Sequence, residues 1–261
     1  PGSSGSLEMA KIFREMKINK EILLTEGKSI PMWGRRIEPG VIRTSFPYLR
    51  SMQQTSRLQG LSAFPAKRTN EAIEKLKDIY KYKPSKNVLE VGILNANFLI
   101  HPAPFIMNLG IIQNTKGDFS LLNEGISPSV IEVMEALDSE KLELCKTLNI
   151  SESSLEDCYG IKEGIIPAYL RKVPGPLGFK DKILDINNCR YLVEDTCGLV
   201  MWSSLGDLVN IETPITDSII LLANIVQGLD FWTFGRTVDK MGLTDMNVED
   251  IEKYLYHGKL I

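Results

Sequence analysis

The chain has 261 residues, of which 43% are hydrophobic and 24% charged, and its formal net charge is −3. These are ordinary globular values, and the length suffices for one large or two modest domains. The charge balance lacks the basic excess typical of a nucleic-acid partner, and no apolar run of 18 residues predicts a membrane span. Four cysteines without C-x-x-C spacing argue against zinc, so we expect no metal, reduced thiols and a cytoplasmic location.

The first 85 residues alternate between short β-rich runs and helical patterns, which is typical of β-α units. The predicted strands cover 21–26, 41–46 and 58–64, and the predicted helices cover 7–16 and 69–80. Ser6 and Thr69 are the expected N-caps of these two helices.

From residue 86 onward the helical period dominates. The predicted helices cover 88–113, 127–148, 153–159, 190–208, 214–228 and 247–256, and the Pro/Gly-rich stretch 172–180 is a predicted loop. Ser127 and Thr213 each precede a proline and are expected N-caps, as is Asn247. The predicted fold is therefore mainly α: a partial α/β region over 1–85, followed by an all-α domain over 86–261.

The chain has two histidines, and they stand in different contexts. His257 ends the last predicted helix, where a cation-capable residue is common. His101 lies in the apolar stretch NANFLIHPAPFIMNLG, and in a regular helix Asn97 and Asn108 would share its face. It is either a core histidine satisfied by the backbone or part of a site, and Pro102 and Pro104 predict a kink beside it.

A second polar cluster lies in CRYLVEDTCGL, where Arg190 precedes Asp195 by five residues. Arg binds a carboxylate through a two-pronged fork, and Asp orients a histidine and stabilises its cation. The alternative is a salt-bridged helix surface, which such clusters usually form.

Five stretches of residues 86–261 follow one another in a characteristic order. They are NANFLIHPAPFIMNLG, EGISPSVIEVMEALD, RYLVEDTCGLV, LGDLVNIETPITDSII and DFWTFGRTVDKMGL. In order and approximate spacing they resemble successive blocks of the octopine/nopaline (opine) dehydrogenase family. The combination of N-x-x-x-H-P with R-Y-x-x-E-D is the most specific part of the resemblance.

The resemblance implies an enzyme that joins an amino acid to a 2-keto acid and reduces the imine with NAD(P)H. It implies that His101 is the catalytic acid/base and that Asp195 is its partner. It further implies that Arg190 binds a substrate carboxylate and that Asn97 contributes a polar group to the substrate site.

The N-terminal residues have a separate resemblance within this family. The start PGSSGSLEMAKIFREM resembles a Gly-rich loop and helix from the later part of the dinucleotide-binding domain, with Gly2 and Gly5 near the cofactor. Glu26, at a strand end, is a candidate contact for the substrate amine, although a plain surface Glu is the simpler interpretation.

No G-x-G-x-x-G fingerprint occurs anywhere in the chain. The family resemblance explains this, because it implies that residues 1–85 are the second half of a Rossmann-like domain whose first half is absent. We expect NAD or NADP to act in the complete enzyme, and this chain alone to bind neither and to be inactive. An exposed strand edge in such a half-domain favours pairing, so we expect a homodimer, formed through that edge or through the helical domain.

Two other functions fit the same residues. One is a cofactor-free helical module for ligand binding or dimerisation, and the other is a related dehydrogenase acting on a hydroxy acid or a ketopantoate-like substrate.

Overall fold

The computed structural model describes residues 3–18, 20–28, 34–44, 59–154, 186 and 190–259. The contacts divide the chain into two compact units, one of residues 1–95 with 239–261 and one of residues 96–238. The C-terminal segment belongs to the first unit because its last helix packs against the short 3₁₀ helix Ala66–Arg68. The sequence predicts a boundary after residue 85 and places the C-terminal segment in the second domain, whereas the contacts place the boundary after residue 95 and assign 239–261 to the first unit.

The secondary structure is mainly helical, as the sequence predicts, and it contains two small sheets. The strands are β1 (Leu24–Gly27), β2 (Gly34–Glu38), β3 (Val41–Thr44), β4 (Gly60–Phe64) and β5 (Lys83–Pro84). The helices are α1 (Gly5–Glu15), α2 (Thr69–Leu76), α3 (Val88–Ile93), α4 (Asn97–Ile100), α5 (Pro102–Met107), α6 (Leu109–Asn114), α7 (Leu121–Glu124), α8 (Pro128–Thr147), α9 (Arg190–Val209), α10 (Pro214–Gln227), α11 (Phe231–Phe234), α12 (Val238–Met241) and α13 (Val248–His257).

The first unit is built on a three-stranded sheet in the order β1-β4-β5. Strand β4 pairs antiparallel with β1 and parallel with β5, and all five of its residues are buried. Its Leu61 and Ala63 pack with Ala72 of α2, because residues on the buried face of an amphipathic helix must find apolar partners. A separate hairpin joins β2 to β3 and turns at Gly40, whose φ of 82° favours glycine.

Two predicted N-caps of the first unit are wrong. Thr69 is the first residue of α2 itself, and its hydroxyl accepts the Ala63 N–H at 3.1 Å, so a strand contact replaces the cap. Ser6 lies inside α1, which is preceded by Ser4 in a left-handed conformation with φ 59°.

The N-cap predicted for the last helix is confirmed. The Asn247 side chain accepts the Asp250 N–H at 3.0 Å, the geometry that a cap requires.

The second unit is organised around α9, which is buried over most of its length. Its Trp202 is fully buried, and the indole ring meets that of Phe98 edge-on at a centroid distance of 5.7 Å. Gly198 makes this approach possible, because a Cβ there would lie 2.2 Å from two ring atoms of Phe98. The segment that carries His101 is thus held against α9.

The single helix predicted over 88–113 is wrong, since four short helices, α3 to α6, cover this region. The break between α4 and α5 falls at His101, whose φ is −112°. Pro102 and Pro104 lack N–H groups, and a proline disfavours the helical conformation of the residue before it. The kink expected beside His101 is therefore confirmed.

The N-terminus of α10 is satisfied by a distant side chain. Thr213 and Ser127 do precede Pro214 and Pro128, but neither makes a capping hydrogen bond. The buried carboxylate of Glu140, on α8, instead accepts the N–H groups of Ile215 at 2.6 Å and Thr216 at 2.9 Å. A helix N-terminus attracts a negative charge, which explains why the carboxylate replaces the local cap.

The loop predicted over 172–180 lies outside the described residues, as does most of the helix predicted over 153–159. Residues 153 and 154 of that helix are described, and they are not helical. Within the described ranges no single helix meets the length and hydropathy of a membrane span. One pair of helices, Pro214–Gln227 with Phe231–Met241, meets them jointly but is bent by 105°.

Candidate active site

His101 occupies the junction of α4 and α5, in the interior of the second unit. Its side chain is buried, and the residue is only 5% exposed. Its N–H donates to the Asn97 carbonyl at 3.1 Å, and its own carbonyl accepts the Phe105 N–H at 2.9 Å. The backbone groups around the break are thereby satisfied, and the imidazole keeps both ring nitrogens for other partners.

The structure brings His101, at the junction of α4 and α5, into contact with Asp195 of α9. The imidazole Nδ1 lies 2.7 Å from the Asp195 Oδ2, and both side chains are buried. An ionised carboxylate only accepts hydrogen bonds, so beside an ionised Asp195 the hydrogen would sit on Nδ1 and Nε2 would be left for proton exchange. Among the described residues, Nε2 has no recorded hydrogen bond.

Tyr191 covers one face of this imidazole. The two rings are stacked with their centroids 4.1 Å apart and their planes inclined by 26°. The guanidinium carbon of Arg190 lies 5.9 Å from the centre of the Tyr191 ring, at the outer limit of a cation–π contact. Sequence reasoning missed Tyr191, although it precedes Asp195 by four residues and so shares its helix face.

Arg190 is the first residue of α9 and is exposed, whereas Asp195 one turn later is buried. An exposed cation therefore precedes the buried carboxylate of the His101–Asp195 pair on the same helix. The interpretation of this cluster as a salt-bridged helix surface does not fit Asp195, whose partner is the buried imidazole.

The two asparagines of the same stretch have different places. Asn97 begins α4, one turn before His101, and contacts it through its backbone carbonyl. The Asn108 side chain donates to the carbonyls of Pro104 and Gly125, at 2.8 and 2.9 Å. The prediction that Asn108 shares the face of His101 is wrong, because the helix break turns it toward a loop that it ties down.

Glu26 lies in the first unit, on β1, and is buried with 8% exposure. Its interpretation as a plain surface residue is therefore wrong. Its Oε1 accepts the Ser6 N–H at the start of α1 at 2.6 Å. This places a carboxylate at the positive end of a helix dipole, a favourable position for it.

The same contact decides whether the start of α1 fits a dinucleotide phosphate. Gly5 begins the helix, and Gly2 lies outside the described residues. The Ser6 amide already donates to Glu26, so a phosphate there would meet a negative charge. The described residues at this helix start do not fit a phosphate group, and Gly5 as a cofactor contact stays a prediction.

The part of the chain that the structure describes does not meet the requirements of a metal site or of a disulfide bond. It holds no group of three His, Cys, Asp or Glu side chains placed to bind a metal ion. Cys145 and Cys197 are not in a disulfide there. His257 ends α13, as the sequence predicts.

Several known proteins are similar to this chain along most of its length. An opine dehydrogenase from Arthrobacter sp. (strain 1C) is 29% identical over 256 residues, which are 96% of this chain and 68% of that protein. A vitopine synthase from Allorhizobium ampelinum is 24% identical over 62% of this chain and 46% of its own length. The chain thus spans between about half and two thirds of these relatives.

A solved structure of octopine dehydrogenase with NADH and pyruvate has the same fold. It matches with a TM-score of 0.68 at 16% identity, over 99% of this chain and 69% of that one. The family model described as NAD/NADP octopine/nopaline dehydrogenase, alpha-helical domain, matches residues 84–227, more than half of the chain. These residues include His101, Arg190 and Asp195, and the chain belongs to the octopine/nopaline dehydrogenase family.

Proposed function

We propose that this chain carries the acid/base and substrate-binding part of an opine dehydrogenase, which joins an amino acid to a 2-keto acid. The observation that carries the proposal is the buried His101–Asp195 pair, in which Nδ1 lies 2.7 Å from Oδ2. Reduction of the imine needs a hydride from NADH or NADPH, because side chains do not supply one. We propose that this cofactor binds the complete enzyme, with Gly2 and Gly5 as its predicted contacts in this chain.

His101 would exchange protons with the substrates through Nε2. Formation of the imine moves two protons from the neutral attacking amine to the former keto oxygen, which leaves as water. A histidine suits both tasks because it gives and takes protons near neutral pH. Asp195 holds Nδ1–H in place and would stabilise the imidazolium when it forms.

Arg190 would bind the carboxylate of the keto acid. Its guanidinium is exposed and presents a planar fork of donors that matches a carboxylate. Fixing this end of the substrate would bring its reacting carbon to a defined position near the imidazole. We propose a supporting polar role for Asn97 in the same substrate site, since it begins α4 one turn before His101.

Glu26 stays a candidate contact for the substrate amine. Its burial and its bond to Ser6 hold the carboxylate in one orientation, which supports a recognition role. The substitution Glu26→Gln in the complete enzyme would then raise KM for the amino acid while leaving KM for the keto acid unchanged.

The test is consumption of NADH or NADPH by the complete enzyme with a panel of keto acids, with and without amino acids. We expect turnover only when both substrates are present, and loss of turnover in Asp195→Asn. The matched control is Glu194→Gln, which changes an exposed acid on the same turn and should remain active. Reduction of the keto acid alone would instead identify a hydroxy-acid or ketopantoate-type enzyme.

The chain by itself should bind neither cofactor, since it has no G-x-G-x-x-G fingerprint. Isothermal titration of NADH and NADPH against the chain tests this, and micromolar binding would contradict it. An active complete enzyme also argues against a purely structural helical module.

We also propose a homodimer. Exposed apolar side chains on α10, including Leu221 at 59% and Ile225 at 70% exposure, support contact through the helical unit. Light scattering that gives a monomer mass at high concentration would contradict the dimer.

A further inference from the structure

The ring of Tyr191 contacts both the proposed acid/base and the proposed carboxylate-binding cation. The four side chains form a series from solvent to interior. Arg190 is exposed, Tyr191 is half-buried, and His101 and Asp195 are buried. Each member contacts the next.

The hydrogen bond to Asp195 fixes only one edge of the imidazole. A ring held at Nδ1 alone can still tilt about the line that joins Nδ1 to Oδ2, and such tilting would swing Nε2 away from a substrate. A second ring stacked at 4.1 Å with a 26° inclination removes this freedom, because tilting would drive the imidazole into it.

The same ring also faces the guanidinium of Arg190. The 5.9 Å distance from the guanidinium carbon to the ring centre places the cation on the electron-rich face of Tyr191. A long exposed arginine has many rotamers, and an aromatic face that attracts it reduces their number. One ring therefore restrains both groups.

We propose that Tyr191 is a positioning residue that sets the ring plane of His101 and the orientation of Arg190 at the same time. The inference rests on the proposed function for its catalytic consequence, but its structural part does not. Its aromatic ring, rather than its hydroxyl, supplies both contacts. Tyr191→Phe should therefore keep the role and Tyr191→Leu should lose it.

The direct test is nuclear magnetic resonance of the histidine rings in the 261-residue chain, which needs neither cofactor nor activity. The chain has two histidines, so His257→Gln assigns both signals. In the wild type we expect the ring protons of His101 to be shifted upfield by the stacked tyrosine, and its neutral form to be the Nδ1–H tautomer.

In Tyr191→Leu we expect the upfield shift to be lost and the minor tautomer to increase several-fold, whereas Tyr191→Phe should resemble the wild type. Tyr256→Leu is the matched control. Tyr256 meets His257 edge-on at 4.9 Å, so its loss should move only the His257 signals. Unchanged His101 signals in Tyr191→Leu would overturn the proposal. If that variant does not fold, Tyr191→Met gives the same test.

In the complete enzyme, Tyr191→Leu should lower kcat by about 10- to 100-fold, the usual effect of misplacing a catalytic group, and should raise KM for the keto acid. Tyr191→Phe should change neither. An inactive wild-type enzyme with the expected resonance shifts would refute the proposed function while the stacking role stands. Normal kinetics in Tyr191→Leu would refute the positioning role alone.

Discussion

Glu140 and Asp195 are both buried carboxylates on long helices of the unit formed by residues 96–238, yet their surroundings differ. Glu140 accepts two backbone N–H groups and the Thr216 hydroxyl, which lies 2.7 Å from its Oε2. Asp195 accepts from an imidazole.

The difference in partners separates two uses of the same chemical group. Backbone amides do not exchange protons with a substrate, so the bonds of Glu140 serve to join α8 to α10. An imidazole can give and take a proton, so the partner of Asp195 is a group that can be used in a reaction. Burial of a carboxylate alone therefore does not identify a catalytic site, whereas a titratable partner points to one.

The largest effect is expected at Asp195. In the complete enzyme, Asp195→Asn should lower kcat by between about 10² and 10⁴-fold, the range for loss of acid/base catalysis. The amide keeps the size of the side chain but carries no charge to stabilise the imidazolium. Steady-state kinetics measure the loss, and thermal unfolding should show a folded protein. A near-normal kcat would mean that the two carboxylates do not differ in this way.

The opposite result is expected at Glu140. Glu140→Gln should lower the free energy of unfolding by about 2–4 kcal/mol, because its NH₂ replaces one of the two oxygens that accept from Ile215 and Thr216, and the helix start loses the negative charge. Urea unfolding measures this, with Glu135→Gln on the exposed face of α8 as the control. A stability equal to that of the control would show that Glu140 is not a cap.

A smaller effect is expected where packing supports the Asp195 region. Gly198→Ala would place a methyl group 2.2 Å from the Phe98 ring and should destabilise the protein by about 1–3 kcal/mol. Phe98 precedes His101 on α4, so the His101 resonances should also shift. Gly110→Ala is the control, since nothing lies within 4 Å of the added atom. Unchanged His101 resonances would show that the contact between Gly198 and Phe98 does not affect the position of His101.

The smallest effect concerns an exposed carboxylate. The hydrogen bond from Arg68, with a further one from Lys75, lowers the pKa of Glu71 to about 2 from its usual 4.5. A depressed folded pKa stabilises the protein above the unfolded pKa, and this contribution is lost as the pH falls from about 4.5 to about 2.

Arg68→Gln should therefore reduce the free energy of unfolding at pH 6 and not at pH 2, where the Glu71 carboxylate is protonated in the unfolded chain and partly protonated in the folded one. The reduction should be slight, because solvent screens the pair. Urea unfolding at both pH values measures the difference, and Lys77→Gln, which affects a separate exposed pair with Glu74, is the control. A difference that does not depend on pH would contradict the assigned ion pair.

Much of the fold follows from local signals in the sequence. The helices α8, α9, α10 and α13 lie where the apolar period and the helix-start residues Pro128, Pro214 and Asn247 predict them. The motifs around His101 and Arg190 are also local, and they carry the family resemblance. These features depend on residues within a few positions of one another, so a single sequence suffices to find them.

The tertiary structure decided which distant groups meet. In the structure the helix predicted over 88–113 is broken at His101. Glu26 is buried and bonded to the Ser6 N–H. The first N–H groups of α10 donate to Glu140, and Thr213 makes no capping bond. Each of these contacts except the helix break joins residues 20 or more positions apart, and no local pattern specifies such partners. The stack of Tyr191 on His101 belongs to the same class, because helix spacing places Tyr191 beside Asp195 but only packing brings the imidazole to both.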